Sequence, residues 1–454
     1  MSGSTWTPRE IRAVHLDLKG VPPMPRRLVS LLKVFSAAGF NAVLVEWEDT
    51  FPWRVDARFR CETAYSLKDV EAFYAEAQWL DMEVIPLVQC LGHMETPLTP
   101  SGYEHLREVP NRSDVLNPLA SGARELVQRM VDEVIAVSPP RHVHLGGDEA
   151  WSFGTHPATR QFVEQHGRGA LYLHHVEPIL ESLNARGIRP ILWHDMMVHW
   201  DDDSLRRLAA KADLCVWGYA GHPDSTPHHY NTRHIERFRG AGLTLWCATA
   251  YKGGEGQSAD VPDIAARQEN ALAWAEVAAR FDMKGIIATA WSRYSTHRPQ
   301  TIPIDAALDS LFLVGHILRN GRMCETPAAF VETMLAQTGE KERFAACRSA
   351  MQKLFDARRR AWHDIPFLRE QVVTATQDAR RRGSGVEMNW LRSIRAALAQ
   401  GEAAADEARR AFDGLIHPLW IERYLSERLD PIREELLMLE ARIRTLDPAG
   451  YQAG

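Results

Sequence analysis

Eight β-rich runs alternating with eight amphipathic helical runs predict a (β/α)8 TIM barrel over residues 1–322, with an all-helical region over residues 323–454. Two further observations support this reading. No Gly-rich phosphate loop follows the first strand, where Lys19-Gly20-Val21-Pro22-Pro23 stands instead, so a doubly wound open sheet fits less well. After about residue 322 the period-2 pattern stops, and segments rich in Ala, Arg, Glu and Leu take over.

Strands are expected near 11–18, 41–47, 83–88, 142–145, 189–193, 214–217, 243–247 and 285–290. Helices follow each, around 25–38, 66–80, 118–137, 158–186, 203–211, 231–240, 261–281 and 303–319. Beyond the barrel, helical patterns cover 326–337, 340–365, 385–413 and 431–446. Leu425, Leu429, Ile432, Leu436, Leu439 and Ile443 form an apolar stripe, which Pro431 is expected to divide between two helices. The stripe suits packing inside a C-terminal bundle better than a dimer seam, and a homodimer stays open.

The chain has 454 residues, 53 basic and 59 acidic, for a formal charge of −6. With no long run of either sign, nothing points to nucleic acid or an anionic membrane, and a neutral substrate fits. The start Met1-Ser2-Gly3-Ser4-Thr5-Trp6 lacks a basic segment followed by an apolar one, and no apolar run approaches spanning length. Six cysteines without paired spacing read as reduced thiols, so the expected setting is cytoplasmic.

A barrel places its chemistry where the strands end at their C-termini. The ends are Asp17-Leu18-Lys19, Glu46-Trp47-Glu48-Asp49, Gln89 with Gly92-His93, Asp148-Glu149 with Trp151, Trp193-His194-Asp195, Trp217-Gly218-Tyr219, Tyr251-Lys252-Gly253 and Trp291-Ser292-Arg293-Tyr294. Trp47, Trp193, Trp217 and Trp291 beside carboxylates describe a sugar pocket, because aromatic faces pack on pyranose C–H groups while acids and amides take hydroxyls. In His144-Leu145-Gly146-Gly147-Asp148-Glu149 the two acids are neighbours, so their side chains diverge. They suit a division of labour in which one protonates the leaving oxygen and the other grips a substrate group that acts as internal nucleophile.

That run resembles the H-x-G-G-D-E signature of family 20 glycoside hydrolases, the β-N-acetylhexosaminidases. Val14-His15-Leu16-Asp17-Leu18-Lys19-Gly20, Glu46-Trp47-Glu48-Asp49-Thr50-Phe51-Pro52 and Gly92-His93-Met94-Glu95 resemble its hexosaminidase D branch. The resemblance implies a retaining exo-acting enzyme that releases terminal GalNAc or GlcNAc through an oxazolinium intermediate. Glu149 would be general acid and base, and Asp148 would steer the 2-acetamido group. Trp193, Trp217 and Trp291 would wall the sugar, Tyr251 would donate to the acetamido oxygen, and Arg12 would bind hydroxyls. His93 and Asp49 match a supporting histidine and acid. Arg293 stands where many members carry a hydroxyl-binding acid, which leaves recognition of the C4 configuration open.

No cofactor or metal is implied, and the expected partner is an oligosaccharide ending in N-acetylhexosamine. Two other readings compete. A metal-dependent hydrolase would use His142-Val143-His144 with His194-Asp195, but strand alternation sets His142 and His144 well below the rim acids. A glycan-binding barrel without turnover would not need the Asp148-Glu149 pair.

Overall fold

The computed structural model describes residues 6–256, 258–378, 380 and 388–453. Its strands are β1 Ile11–Asp17, β2 Ala42–Glu46, β3 Glu83–Leu87, β4 His142–His144, β5 Arg189–Trp193, β6 Asp213–Trp217, β7 Leu245–Lys252 and β8 Gly285–Ala290. All pair in parallel and in order, and β8 closes on β1 through Ile11–Gly285 and Arg12–Ile286. The fold is therefore a (β/α)8 barrel with a helical C-terminal region.

The helices of the barrel are α1 Pro25–Ala37, α2 Leu67–Trp79, α3 Glu95–Leu98, α4 Ala123–Ile135, α5 Pro157–His166, α6 Arg168–Ala185, α7 Asp202–Ala209, α8 Thr232–Gly240, α9 Ile264–Arg280 and α10 Leu308–Asn320. The chain continues with α11 Pro327–Thr338, α12 Lys341–Gln377, α13 Met388–Ala411, α14 Pro418–Leu446 and α15 Pro448–Ala453. None of the described helices is long and apolar enough to cross a membrane.

Side-chain alternation sorts the strands into two layers. Ile11, Ala13, Ala42, Leu44, Ile85, Leu87, Ile191, Trp193, Cys215, Trp246, Ala248 and Ile287 fill the barrel's inside. Val14, Leu16, Val43, Val45, Leu192, Leu214, Val216 and Cys247 face the helices. Residues on the strands and just past their ends inherit one of these two directions, while His93, Asp148, Glu149 and Arg293 are carried by the loops that follow.

Several elements differ from the sequence reading: the helix expected over 340–365 runs on through Pro366 to Gln377, that expected over 431–446 starts at Pro418, and three further differences bear on the architecture. The single helix expected over 158–186 is two, because Gly167 turns the chain between them at φ +86°. The strand expected over 243–247 runs on to Lys252, with a register shift between Ala250 and Lys252. Pro431 lies inside α14 and does not divide it, since the stripe Leu425, Leu429, Ile432, Leu436, Leu439 and Ile443 stays buried on both sides of the proline. A missing backbone donor costs about 3 kcal/mol in a helix interior, and burial of several leucine-sized side chains at about 1.5–3 kcal/mol each outweighs it.

The C-terminal helices sit on the loops that follow β1, β2, β7 and β8. Fully buried Asp260, in the loop after β7, accepts from Tyr424 Oη at 2.5 Å and Arg428 Nε at 2.7 Å, and pairs with Arg358. Trp420 Nε1 donates to Thr63 Oγ1, and the backbone N–H of Met24 to Leu415 O. Removing one partner of such a buried set leaves a stranded charge, at a cost of about 3–5 kcal/mol.

Candidate active site

Inward-facing residues at the strand ends enclose a cavity of ≈270 Å³. One wall is aromatic. Trp193 packs on His144 at 4.1 Å between ring centres, Trp217 stacks on Tyr219 at 5.3 Å and 24°, and Trp291 lies 6.3 Å from both Trp193 and Tyr219. The other wall is polar, with Lys19, Glu46, Gln89, His93, Asp148, Glu149 and Arg293.

The two acids arrive by a turn that only glycine permits. Gly146 and Gly147 take φ +57° and +82°. A Cβ on Gly146 would lie 1.8 Å from Gln89 Oε1, and one on Gly147 2.0 Å from Tyr172 Oη, so both positions are sterically closed to side chains. The chain then reaches Glu149, itself at φ +45°, where Asp195 Oδ2 accepts its N–H at 2.9 Å. Glu48, His93 and Glu149 are three of the six non-glycine residues with positive φ among the described residues. Such costly backbone collects at functional sites.

His93 Nε2 stands 3.4 Å from Glu149 Oε2 and 3.6 Å from Asp148 Oδ2. Burial works against a charged ring there, but Asp148 and Glu149 outweigh it and hold His93 protonated well above its ordinary range. Donor atoms of His93, Asp148 and Glu149 lie within 4.8 Å of one another, a spacing that a metal ion could also use. Histidine already charged by the two acids competes with that use, because a metal needs its lone pair free.

Asp195 is pushed up to about 7 by burial and then by Asp148. Its two oxygens accept from the Glu149 N–H and from Trp217 Nε1 at 3.2 Å. Glu46 is held in the opposite direction: burial would raise it, but Lys19 at 2.6 Å and His15 keep it far below the carboxylate range. Gln89 Nε2 donates to the other Glu46 oxygen at 3.1 Å. Asp17 accepts from the backbone N–H groups of Ser292 and Arg293, which fixes the loop carrying Trp291 and Arg293.

Several of these groups keep unused capacity. Asp148 Oδ1, Gln89 Oε1, Trp193 Nε1, Trp291 Nε1 and Arg293 Nε are buried without a hydrogen-bond partner among the described residues. So is the Tyr219 hydroxyl, which lies close to Thr289 and Trp291 but in bonding geometry with neither. Buried polar groups are normally satisfied, and six aimed at one cavity describe a surface built for a polar ligand.

The structure places the expected residues unevenly. Asp148, Glu149, His93, Trp193, Trp217, Trp291 and Arg293 line the cavity. Arg12 does not: it is second in β1, at the opposite end of the barrel, and its guanidinium donates to the carbonyls of Gly39 and Arg9. Tyr251 does not either. It shares the outward direction of Cys247 and Thr249, and its ring is fully buried in the helix layer. Trp47 faces the same layer, against Phe51, Tyr65 and Phe73. Asp49 stands behind the wall beside Arg293 and is pushed up to about 6 by burial. His142 bonds Glu83 and Lys284 at the far end, away from the acids. Lys19, Glu46, Gln89 and Tyr219, which the sequence places at strand ends without a role, also line the cavity, and all four share the pleat direction of inward neighbours two residues back.

Residues 48–228 match the family model of the glycosyl hydrolase family 20 catalytic domain. Hexosaminidase D of Homo sapiens is 34% identical over 347 residues, covering 74% of this chain and 70% of that protein. Hexosaminidase D of Bos taurus is 33% identical over 344 residues, 73% of this chain and 99% of that protein. Among solved structures, a chitobiase of Flavobacterium johnsoniae superposes with a TM-score of 0.57 at 14% identity, covering 97% of this chain and 75% of that one. At that identity the superposition speaks for the fold alone, and it runs past the barrel into the C-terminal helices. An Asp148-Glu149 pair at the mouth of a tryptophan-walled cavity, on a chain a third identical to hexosaminidase D, places this protein in glycosyl hydrolase family 20, as a β-N-acetylhexosaminidase near the hexosaminidase D branch.

Proposed function

We propose that the chain is a retaining, exo-acting β-N-acetylhexosaminidase that removes terminal β-linked GalNAc or GlcNAc with the substrate's own acetamido group as nucleophile. One observation carries this reading: among the described residues, the carboxylates that line the cavity beside Glu149 are Glu46 and Asp148, with Asp195 behind them, and only Asp148 keeps an oxygen without a hydrogen bond or ion pair. Glu46 is tied to Lys19 and Gln89, and Asp195 to the Glu149 N–H and Trp217. Asp148, with a free buried oxygen, is the immediate neighbour of Glu149 and does not face it across a scissile bond.

In the first step Glu149 gives its proton to the glycosidic oxygen as the C1–O bond breaks, and the acetamido oxygen bonds to C1 from the other face. Asp148 accepts the acetamido N–H and offsets the positive charge that develops there. Water then attacks C1 while Glu149 takes its proton, the amide oxygen leaves, and two inversions give retention. The Tyr219 hydroxyl, in the aromatic box, takes the role expected of Tyr251, donating to the acetamido oxygen. Lys19, Gln89 and Arg293 serve the ring hydroxyls in place of Arg12. The C-terminal region, which we read as a separate unit from residue 323, supports Arg293 through Glu427 at 3.6 Å and the ring of Trp420 at 5.7 Å. Six free thiols, four of them buried, support a cytoplasmic setting.

The test compares aryl β-glycosides of GlcNAc, GalNAc and glucose. Cleavage of the acetamido sugars with inhibition by a thiazoline mimic is expected. Equal turnover of the glucoside, or a sugar adduct trapped on a side chain, would overturn acetamido participation.

A further inference from the structure

Two large aromatic side chains stand exposed at the lip of the cavity, immediately outside the acid pair. Trp151, two residues after Glu149, is 66% exposed, and Tyr294 is 39% exposed. The indole N–H of Trp151 points at the Tyr294 hydroxyl from 3.4 Å, and the Tyr294 ring stands edge-on to His93 at 5.4 Å. The Tyr294 hydroxyl is raised above its usual range by burial and by contact with Glu149.

Single exposed apolar residues are ordinary, and Trp79, at 81% exposure at the end of α2, needs no explanation. Trp151 differs in its neighbours. The turn holding it runs straight on from Glu149, through the Trp151 N–H to Glu149 O bond at 2.8 Å. Glu149 must meet the glycosidic oxygen, so whatever is attached to that oxygen lies on the solvent side of Glu149, over Trp151 and Tyr294.

We propose that Trp151 and Tyr294 form a binding site for the leaving sugar: a platform on which the apolar face of a second pyranose stacks, making this enzyme selective for oligosaccharide over small aglycones. This rests on the function proposed above. A carbohydrate is favoured over an alkyl chain because the platform carries a polar edge beside its ring faces, the Tyr294 hydroxyl, which accepts from Trp151 Nε1 and keeps a second lone pair for a sugar O–H.

The test measures kcat/KM of wild type, Trp151→Ala and Trp151→Phe on three glycosides of one N-acetylhexosamine: a β-linked disaccharide, the methyl glycoside and the octyl glycoside. In Trp151→Ala the disaccharide-to-methyl ratio is expected to fall about 5- to 10-fold, mainly through KM, with recovery in Trp151→Phe. A parallel fall on disaccharide and methyl glycoside would mean a disturbed Glu149, and an equal loss on the octyl glycoside would mean an unspecific apolar shelf. Either result overturns the proposal. Calorimetry on Glu149→Gln protein separates it from the reaction: disaccharide is expected to bind about 5- to 10-fold tighter than monosaccharide, and equal affinities would end the claim. If wild type cleaves none of the three, the reading of function fails and calorimetry alone decides the subsite.

Discussion

The two ends of this barrel are built from the same residue types to opposite purposes. At the N-terminal end, His142 bonds Glu83 at 2.7 Å and Lys284 at 2.8 Å, while Asp213 accepts from Arg189 at 2.6 Å and from Trp246 Nε1 at 3.0 Å. Acids, bases and an indole pair with one another there, and Glu83 Oε2, which is outside any hydrogen bond, is met by Arg141 as an ion pair at 3.0 Å. At the C-terminal end, Asp148, Gln89, Trp193, Tyr219, Trp291 and Arg293 each hold a buried polar atom without a partner. Saturation marks the end that holds the fold, and unused valence marks the end that holds the substrate, because leaving a buried donor or acceptor unmade costs about 1–3 kcal/mol unless something else meets it.

The sharpest way to break that comparison is at Glu149. Glu149→Gln removes the transferable proton, and kcat is expected to fall about 10²–10⁴-fold on natural glycosides, far less on activated aryl leaving groups. Asp148→Asn is expected to cost about 10²–10³-fold in kcat by removing charge where the acetamido nitrogen becomes positive, and steady-state kinetics with unchanged melting temperature would show it. A substitution at the saturated end should do the reverse. Asp213→Ala strands Arg189 and Lys284, so stability is expected to drop about 3–5 kcal/mol while kcat/KM of the remaining folded enzyme holds. A large loss of kcat/KM without loss of stability would refute the assignment of that end.

What the sequence could not deliver follows from the same geometry. The alternation of eight βα units predicts the barrel, and the Asp148-Glu149 pair and three rim tryptophans follow from it. Arg12 and Tyr251 lie off the site because the pleat, not position along the chain, sets the direction of a side chain: Ala13 faces in and Cys247 faces out, so Arg12 and Tyr251 turn away from the cavity. The same alternation, carried from Cys215 through Trp217, points to Tyr219, and from Ala13 through Asp17 to Lys19. The docking of the C-terminal helices was beyond reach. Asp260 meets Arg358, Tyr424 and Arg428 across 98 to 168 residues of chain, and no local pattern records such a meeting.

The smallest expected effect is on pH dependence, and it sharpens the comparison because raised acids collect at one end. Burial is the main cause that pushes Asp49 up to about 6, Asp195 to about 7 and Glu48 to about 8, all at the rim. Their folded values exceed the unfolded ones, so between about pH 4 and 8 these acids bind more protons in the folded chain and their contribution to stability falls as pH rises, while buried His144, His175, His194 and Lys252 and half-buried His229, all lowered by burial, contribute in the opposite sense. His93, raised by Asp148 and Glu149, adds to the fall above its ordinary value, since its charged form is the one the fold favours. Glu46 acts only at the acid extreme, where its depressed value means stability is lost as pH drops. The rim acids are therefore read from a difference: in denaturant unfolding from pH 5 to 8, wild type is expected to lose stability relative to Asp195→Asn, where one raised acid is gone. A difference between the two proteins that stays constant across that range would mean that Asp195 is not held in its neutral form, and the functional end would then be as well compensated as the other.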